Sequence, residues 1–410
     1  MRIDTKRLEQ FIGECGRFPA YFERGPSDPG GLQAVRQWIN ELAQRHHCLG
    51  PVAARRLGDL VEKSRLLDWL LAFTGKRYRD HAVHQWRVAA LGWFLLHAHV
   101  VPDTPLWRYA EQRRQALGGA EVPPRPCGHR DCPPDRIAYA WWVAALMHDH
   151  AYPLCHMLQT LESVLLLVGG AAPGAGAPTR STIKALAQTP QTFAGDALAV
   201  MDSPSVSRGA HDYLRRRLVD CEARVLRAQG LPPAHDPNLW DHGLWSAANL
   251  CNLFADWNFP LNAADPHVGH LVEALRAIAV HSELPSAERS VNIKDNPLGW
   301  LLCLCDELQE WDRCVAVGGC AAPETDHIEL DGIAWDGTAD DPIRFTGDDL
   351  VVAFEYSDQR TLELTEWNAE IFLKSKSKRL GRLCVPTELR PSRIRVQLIR
   401  PATEREVSLR

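Results

Sequence analysis

The 410-residue sequence predicts a mainly α-helical protein, a helical bundle followed by a small α+β domain. Apolar residues recur at helical spacing through most of the first ~315 residues, which favours packed helices. After about residue 320, short alternating or β-branched stretches with Asp-Gly and Gly-Asp pairs between them favour strands and turns. We therefore expect an N-terminal helical segment at 1–55, a helical domain at 56–318 and an α+β domain at 325–410.

Each element follows from its local pattern. Helical periodicity predicts helices over Leu57–Phe73, Val83–Leu96, Ile137–Met147, Leu154–Val168, Ser181–Met201, His211–Ala228, Leu244–Trp257, Val268–His281 and Leu298–Asp312. Pro-rich segments at 122–134 and 231–237 interrupt this series. Alternating or β-branched patterns predict strands over His327–Ile333, Asp341–Phe345, Leu350–Tyr356 and Ile394–Ile399. An amphipathic pattern predicts a helix over Thr361–Ser377.

The composition excludes several classes of protein. Hydrophobic residues make up 45% and charged residues 24%, ordinary values for a soluble globular protein. The net charge of -5 provides no broad basic field, so we expect no strong binding to nucleic acid. No apolar run approaches the roughly 20 residues that span a bilayer, and the N-terminal segment lacks the features of a signal peptide. We expect a cytoplasmic protein without a membrane segment.

The distribution of cysteines also favours a cytoplasmic protein. The 12 cysteines are scattered, which favours reduced thiols over a disulfide framework. Cys127, His129 and Cys132 lie close together, but no second pair of ligands follows them. A polar loop is therefore favoured there over a small metal knuckle.

A His-Asp pair, His148-Asp149, ends the most apolar of the predicted helices and could place an imidazole and a carboxylate on one metal ion. Asp306 interrupts a leucine-rich helix, where a buried carboxylate is costly unless it is paired or metal-bound; a solvent-facing position is the competing interpretation. Other histidines stand at the edges of apolar helices, namely His84, His242 and His281. A helical bundle can gather such residues from different helices onto a central metal site.

This ordered set resembles the HD-domain superfamily of metal-dependent phosphohydrolases, over about residues 79 to 313. The segments that carry the resemblance are HQWRVA at 84–89, ALMHDHAYP at 145–153, DHGLWSA at 241–247, AIAVHS at 277–282 and LCDELQEW at 304–311. The resemblance implies an HD-type helical bundle in which His84, His148, Asp149 and Asp306 hold one metal ion. It further implies a second ion on His242 and His281, with Asp149 as the bridge.

The chain departs from that family at several points. Insertions near 101–134 and 170–235 lengthen the domain. The Gly-Tyr-Pro motif of the cyclic-di-GMP phosphodiesterase branch is absent, which puts that substrate in doubt. His81 lies one helical turn before His84, but His84 fits the family register better because Arg-Val-Ala follows it.

The resemblance implies a phosphohydrolase or phosphodiesterase that acts on a nucleotide or a related small-molecule phosphoester. Its cofactor would be a divalent metal, two ions of Fe, Mn, Zn, Mg or Co, which activate a water as hydroxide. His150 and His81 are candidates for proton transfer, although a supporting or surface role fits each equally well. Arg79, Arg87 and Lys294 are candidates for phosphate contact, although Arg87 could instead pair with an acidic neighbour.

Two alternatives stay open at this point. A similar ligand set in myo-inositol oxygenase-like proteins holds two irons and activates dioxygen. A non-catalytic HD protein that senses a nucleotide is the other. The 14 tryptophans could form an interface between copies of the chain or fill its core.

Overall fold

The chain folds as a mainly helical protein with several small sheets, which confirms the mainly α class in this computed structural model. The structure describes residues 1–14, 29–46, 51–52, 54–61, 81–101, 104–116, 125–127, 130–152, 242–243, 246–247, 249–250, 269–282, 291–294, 296–311, 327–338, 341–355, 366–385, 388–389 and 391–399. The helices predicted over Leu154–Val168, Ser181–Met201 and His211–Ala228 lie outside the described residues.

The named helices occupy both the predicted helical region and the C-terminal region. They are α1 (Thr5–Glu14), α2 (Pro29–His46), α3 (His81–Leu96), α4 (Leu106–Ala116), α5 (Asp135–Met147), α6 (Gly269–His281), α7 (Pro297–Leu308) and α8 (Glu366–Leu380). Residues 54–61 and the described residues between 242 and 250 are also helical. Among these described helices, none is long and apolar enough to cross a membrane.

Short strands tie distant parts of the chain together. They are β1 (Arg2–Ile3), β2 (His99–Val101), β3 (Thr104–Pro105), β4 (Arg125–Cys127), β5 (Arg130–Cys132), β6 (Val291–Asn292), β7 (His327–Asp331), β8 (Ile333–Ala334), β9 (Arg344–Phe345), β10 (Asp349–Glu355), β11 (Leu383–Cys384) and β12 (Arg393–Ile399). Two four-stranded sheets have the orders β1-β7-β10-β12 and β3-β2-β9-β8, and β11-β6 and β4-β5 form two-stranded sheets. Strands from the first 130 residues thus pair with strands of the C-terminal region.

The predicted helices that the structure describes agree with the sequence pattern, whereas several shorter elements differ from it. The chain begins with a strand that the sequence did not predict, because two residues are too short for a periodic signal and their partner, β7, is more than 300 residues away. The helix predicted to run to Asp312 ends at Leu308, where Gln309 leaves the helical conformation. Of the strand predicted over Asp341–Phe345, only Arg344–Phe345 pairs. β4, which ends at Cys127, pairs antiparallel with β5, which ends at Cys132, and Cys132 is a buried free thiol.

The helices that matter for the site pack closely because of one glycine and one tryptophan. A Cβ at Gly92 of α3 would overlap the indole of Trp141 of α5. The same indole donates to the Ala89 carbonyl of α3 at 2.9 Å. Helix α5 is buried nearly all round, as its unbroken apolar sequence predicts. Close contact between α3 and α5 brings the first turn of one helix beside the last turn of the other.

Candidate metal centre

Five separate segments bring six polar side chains to one point. Helix α3 contributes His84 from its first turn, the end of α5 leads into His148 and Asp149, and α7 contributes Asp306 from its last turn. Helix α6 ends on His281, and His242 comes from the helical residues between 242 and 250. Since α5, α6 and α7 pack against one another and α3 packs on α5 and α7, these helix ends converge.

One side of the cluster is built around Asp306. Its Oδ1 lies 2.8 Å from Nε2 of His84 and 3.6 Å from Nε2 of His148. Nε2 of His148 is in turn 3.4 Å from Oδ2 of Asp149. Two imidazoles and two carboxylates, the donor set that Zn, Fe or Mn accepts, therefore face one another.

The other side is built around the second oxygen of Asp149. Its Oδ1 lies 3.1 Å from Nε2 of His242 and 3.5 Å from Nε2 of His281. The six residues form three overlapping groups of three. Within each group, one ligand atom per residue lies within 4.8 Å of the other two: His84, His148 and Asp149; His148, His281 and Asp306; Asp149, His242 and His281. The two oxygens of Asp149 thus face different imidazoles.

The far nitrogens of the histidines fix which atoms face the centre. Nδ1 of His148 donates to the Ala145 carbonyl at 2.7 Å, and Nδ1 of His281 donates to the Ile278 carbonyl at 2.6 Å. When these imidazoles are uncharged, each Nε2 carries a lone pair toward the carboxylates, and within the described chain neither of these buried atoms makes a hydrogen bond. Lone pairs that face carboxylates repel them unless a proton or a metal ion lies between.

Gln309, which the sequence did not single out, orients the third histidine. Its Oε1 accepts from Nδ1 of His84 at 2.5 Å, and its Nε2 donates to the Trp311 carbonyl at 2.9 Å. The second bond fixes the amide so that its oxygen faces His84, and the residue is fully buried. The signal available in the sequence was weak, an uncharged polar residue three positions after Asp306, between Leu308 and Glu310.

Small residues position His242. Gly243 donates its N–H to Ser282 Oγ at 2.9 Å, and a Cβ at this glycine would overlap the Ile278 carbonyl and the His281 ring. Ser246 accepts from the Ala151 N–H at 2.9 Å, which joins the same segment to the turn after Asp149. Glycine is therefore required for the close approach, although Gly-Leu after a histidine is no signal by itself.

The electrostatics favour a cation at the centre. Burial by itself lowers the pKa of His148, but the Asp149 and Asp306 carboxylates outweigh it and raise that pKa to about 10. Burial opposes ionisation of both carboxyls, yet the surrounding histidines hold the pKa of Asp149 and of Asp306 well below the usual range. Burial lowers the pKa of His281. The site therefore keeps two carboxylates ionised around a position that attracts a proton or a metal ion.

Access to the cluster is uneven. The side chains of His84, His148, Asp149 and His281 are nearly fully buried, whereas those of His242 and Asp306 are 25% and 21% exposed. Tyr152 packs its ring edge-on against His242 at 5.2 Å between centroids. Solvent therefore reaches the site at His242 on one side and at Asp306 on the other.

The other candidate residues lie in varied surroundings. Burial lowers the pKa of His150 to about 4, so its imidazole is uncharged at neutral pH. His81 opens α3 and Arg79 lies outside the described residues; of the His81 side chain nothing is described. Arg87 donates to the Trp311 carbonyl at 3.4 Å, and Lys294 pairs with Glu388. A phosphate-binding role for these cations stays a prediction.

Comparison with known proteins provides no relative from which a role for the site could be inferred. No protein-family model, curated protein or solved structure matches this chain. What the structure supports is a buried cluster of histidines and aspartates that could hold a metal ion.

Proposed function

We propose that this chain is a metal-dependent phosphohydrolase of the HD type that acts on a nucleotide or a related phosphoester. The observation that carries the proposal is the orientation of Asp149, whose Oδ2 faces His148 while its Oδ1 faces His242 and His281. A carboxylate with this orientation suits a bridge between two divalent cations.

The residues divide into two sets on this proposal. His84, His148 and Asp306 would hold one cation together with Oδ2 of Asp149, and His242 and His281 would hold the other with Oδ1. The backbone carbonyls of Ala145 and Ile278 keep two of the imidazoles in the tautomer that a metal requires. When bound, divalent cations at such a site lower the pKa of water and neutralise charge on a phosphoryl group.

The protein itself would supply binding, orientation and proton transfer. A phosphoester would approach where the site is exposed, at His242 or at Asp306. His150, whose imidazole is uncharged at neutral pH, and His81 are the candidates for proton transfer on this proposal.

Metal content and hydrolysis, measured on the same preparation, test the proposal. We expect about two equivalents of divalent metal per chain and release of phosphate or a nucleotide product from a phosphoester panel without oxygen. Iron together with oxygen consumption on an organic substrate would favour the di-iron oxygenase instead. Bound metal without turnover on the whole panel would favour a nucleotide sensor, and a chain that binds no metal would contradict the proposal altogether.

Removal of the bridging pair is the sharpest variant. The double change His148→Ala and Asp149→Ala should abolish both metal binding and hydrolysis, because each cation loses a ligand. Asp348→Ala, which removes an exposed carboxylate in the C-terminal region, is the matched control and should keep both. Metal analysis after dialysis and a phosphate-release assay measure the two effects. Unchanged hydrolysis in the double variant would rule out a metal-centred mechanism.

A further inference from the structure

Three cations from the C-terminal region lie against the helices that carry metal-site residues. Lys376 of α8 is buried, and its Nζ donates to the Glu307 carbonyl at 2.8 Å and to Oε2 of the same residue at 3.0 Å. It also donates to Oε1 of Glu310 at 2.6 Å. Arg379 adds a bond to the other carboxylate oxygen of Glu307 at 3.0 Å. These acidic residues flank Asp306 and Gln309 in the chain.

Arg382, just beyond α8, performs a similar task at α6. Its guanidinium donates to the carbonyls of Val280, at 3.3 Å, and of His281. It also donates to Sγ of Cys303 at 3.1 Å, and this thiol belongs to α7. One buried side chain therefore binds the backbone of one metal-site residue and the helix that carries another.

The physical logic of both contacts is the same. The last carbonyls of a helix have no partner within that helix and carry partial negative charge, so a cation placed there stabilises the helix end. Lys376 binds the C-terminal turn of α7, which carries Asp306, and Arg382 binds the last residues of α6, which carry His281. A buried cation is costly unless paired, so these contacts hold only while the C-terminal region is docked.

We infer that the C-terminal region is a structural part of the metal centre, with Lys376 and Arg382 as positioning residues for Asp306 and His281. Docking of α8 and metal binding are then linked, so each strengthens the other by the same factor. The inference rests on the proposed metal centre but does not depend on which substrate is hydrolysed.

Metal affinity of full-length variants tests the inference. We expect Arg382→Met and Lys376→Met each to weaken Mn²⁺ or Co²⁺ binding by roughly tenfold or more, as for other groups that orient metal ligands. Lys374→Met, the same change at an exposed position of α8, should bind metal as the unchanged protein does. Competition with a chelator measures affinity, and circular dichroism identifies variants that are folded. Folded variants of Arg382 and Lys376 with unchanged affinity would overturn the inference while leaving the proposed function intact.

Hydrogen exchange on the unchanged protein covers the case in which those variants do not fold. Metal should slow amide exchange in α8 and at 381–384 more than in β10 and β12, whose strand partners in the described chain are each other and β7. Equal slowing in both regions, or none in α8, would overturn the inference. If the unchanged protein binds no metal, the proposed function and the inference fail together, which distinguishes this outcome from failure of the inference alone.

Discussion

The imidazole of His84 is held from both sides, by Asp306 at Nε2 and by Gln309 at Nδ1. The amide oxygen requires a proton on Nδ1 and so leaves Nε2 free to bind a metal ion. Gln309→Leu removes that acceptor within a buried site, so we expect metal affinity to fall by roughly 10–100-fold.

A conservative variant separates this orienting role from simple packing. Gln309→Glu keeps an oxygen for His84 but sets a carboxylate against the Trp311 carbonyl, which now accepts from the amide. We expect Gln309→Glu to bind metal more tightly than Gln309→Leu, even where its unfolding midpoint in urea is lower. Chelator competition and urea titration on the same samples measure the two quantities. Equal affinities for the two variants would show that Gln309 only fills space.

The pKa of His148 predicts how metal binding depends on pH. Because the carboxylates raise this pKa to about 10, the imidazole of His148 carries a second proton, and hence a positive charge, at neutral pH when no metal is bound. A metal ion must displace that proton, so affinity should rise by about tenfold per pH unit between pH 6 and 8 for each proton released. Binding titrations in several buffers at each pH measure both the slope and the proton release. A pH-independent affinity would contradict the assignment of His148 as a ligand.

The same shift has the opposite sign for stability without metal. A raised folded-state pKa contributes stability that is fully present below the unfolded pKa of about 6.5 and is lost as pH rises toward 10. The depressed pKa values of Asp149 and Asp306 contribute stability above about pH 4, lost as pH falls through their folded-state values. In the presence of a chelator, the urea midpoint of unfolding should therefore decrease as the pH is raised above neutral. Addition of metal should restore the midpoint.

At the residue scale the sequence identified the ligand types but not the residues that orient them. Histidines and aspartates at the ends of apolar helices are conspicuous because burial of such groups is costly. Gln309 and Arg382 act through contacts with residues 225 and 101 positions away in the chain, which no local pattern encodes. Gly243 is needed only because α6 happens to pass beside it.

At the scale of elements, the contact between α3 and α5 determines where His84 and His148 meet. Gly92→Ala would drive a methyl group into the Trp141 indole, so we expect a loss of about 1–3 kcal/mol of unfolding free energy from overpacking. Gly13→Ala is the control, since nothing lies within 4 Å of its Cβ position in α1, and it should be neutral or stabilise by up to ~1 kcal/mol. Urea unfolding measures both, and equal stabilities would contradict this packing.

Periodicity predicted where the long helices begin, but it did not predict where α7 ends or where the two-residue strands lie. Helices α3, α5 and α6 begin within two residues of their predicted starts, because their apolar runs are bounded by polar or turn-forming residues. Helix α7 starts where Asn296 caps it and Pro297 occupies its first turn, both recognisable in sequence. At its early end, Gln309 leaves the helical conformation and bonds to His84, which is a tertiary contact. Two-residue strands such as β1 have no periodic signal at all.

At the scale of the whole molecule, the predicted boundary near residue 320 is crossed by paired strands. β1 pairs with β7, β2 with β9, and β6 with β11. The amino group of Met1 donates to the Leu330 carbonyl at 2.9 Å. Composition and periodicity predicted strands and one helix after about residue 320, and such elements lie there. Pairing of these strands with distant segments depends on the complete fold.

Aromatic packing joins the same two regions. Trp335 stands edge-on to Phe11 of α1 and to Phe94 of α3, with ring centroids 5.5 Å apart in each case. The guanidinium of Arg7 lies 4.3 Å from the Trp335 ring. The C-terminal region therefore packs, through Trp335, against the helix that carries His84.

A truncation test follows from these contacts. A chain of residues 1–318 loses β7, β9 and β11, which pair with β1, β2 and β6, together with the Trp335 ring and the cations that bind α6 and α7. We expect this fragment to lack a cooperative thermal transition and to bind metal far more weakly than the full chain, because exposed strand edges and apolar surface replace the lost contacts. Co-expression with residues 319–410 is the control, since the second fragment can supply the missing strands and cations and should restore binding. Circular dichroism and metal analysis of the purified samples distinguish the cases: a fragment of residues 1–318 that unfolds cooperatively and binds metal like the full chain would show that the helical region completes the site without the rest of the molecule.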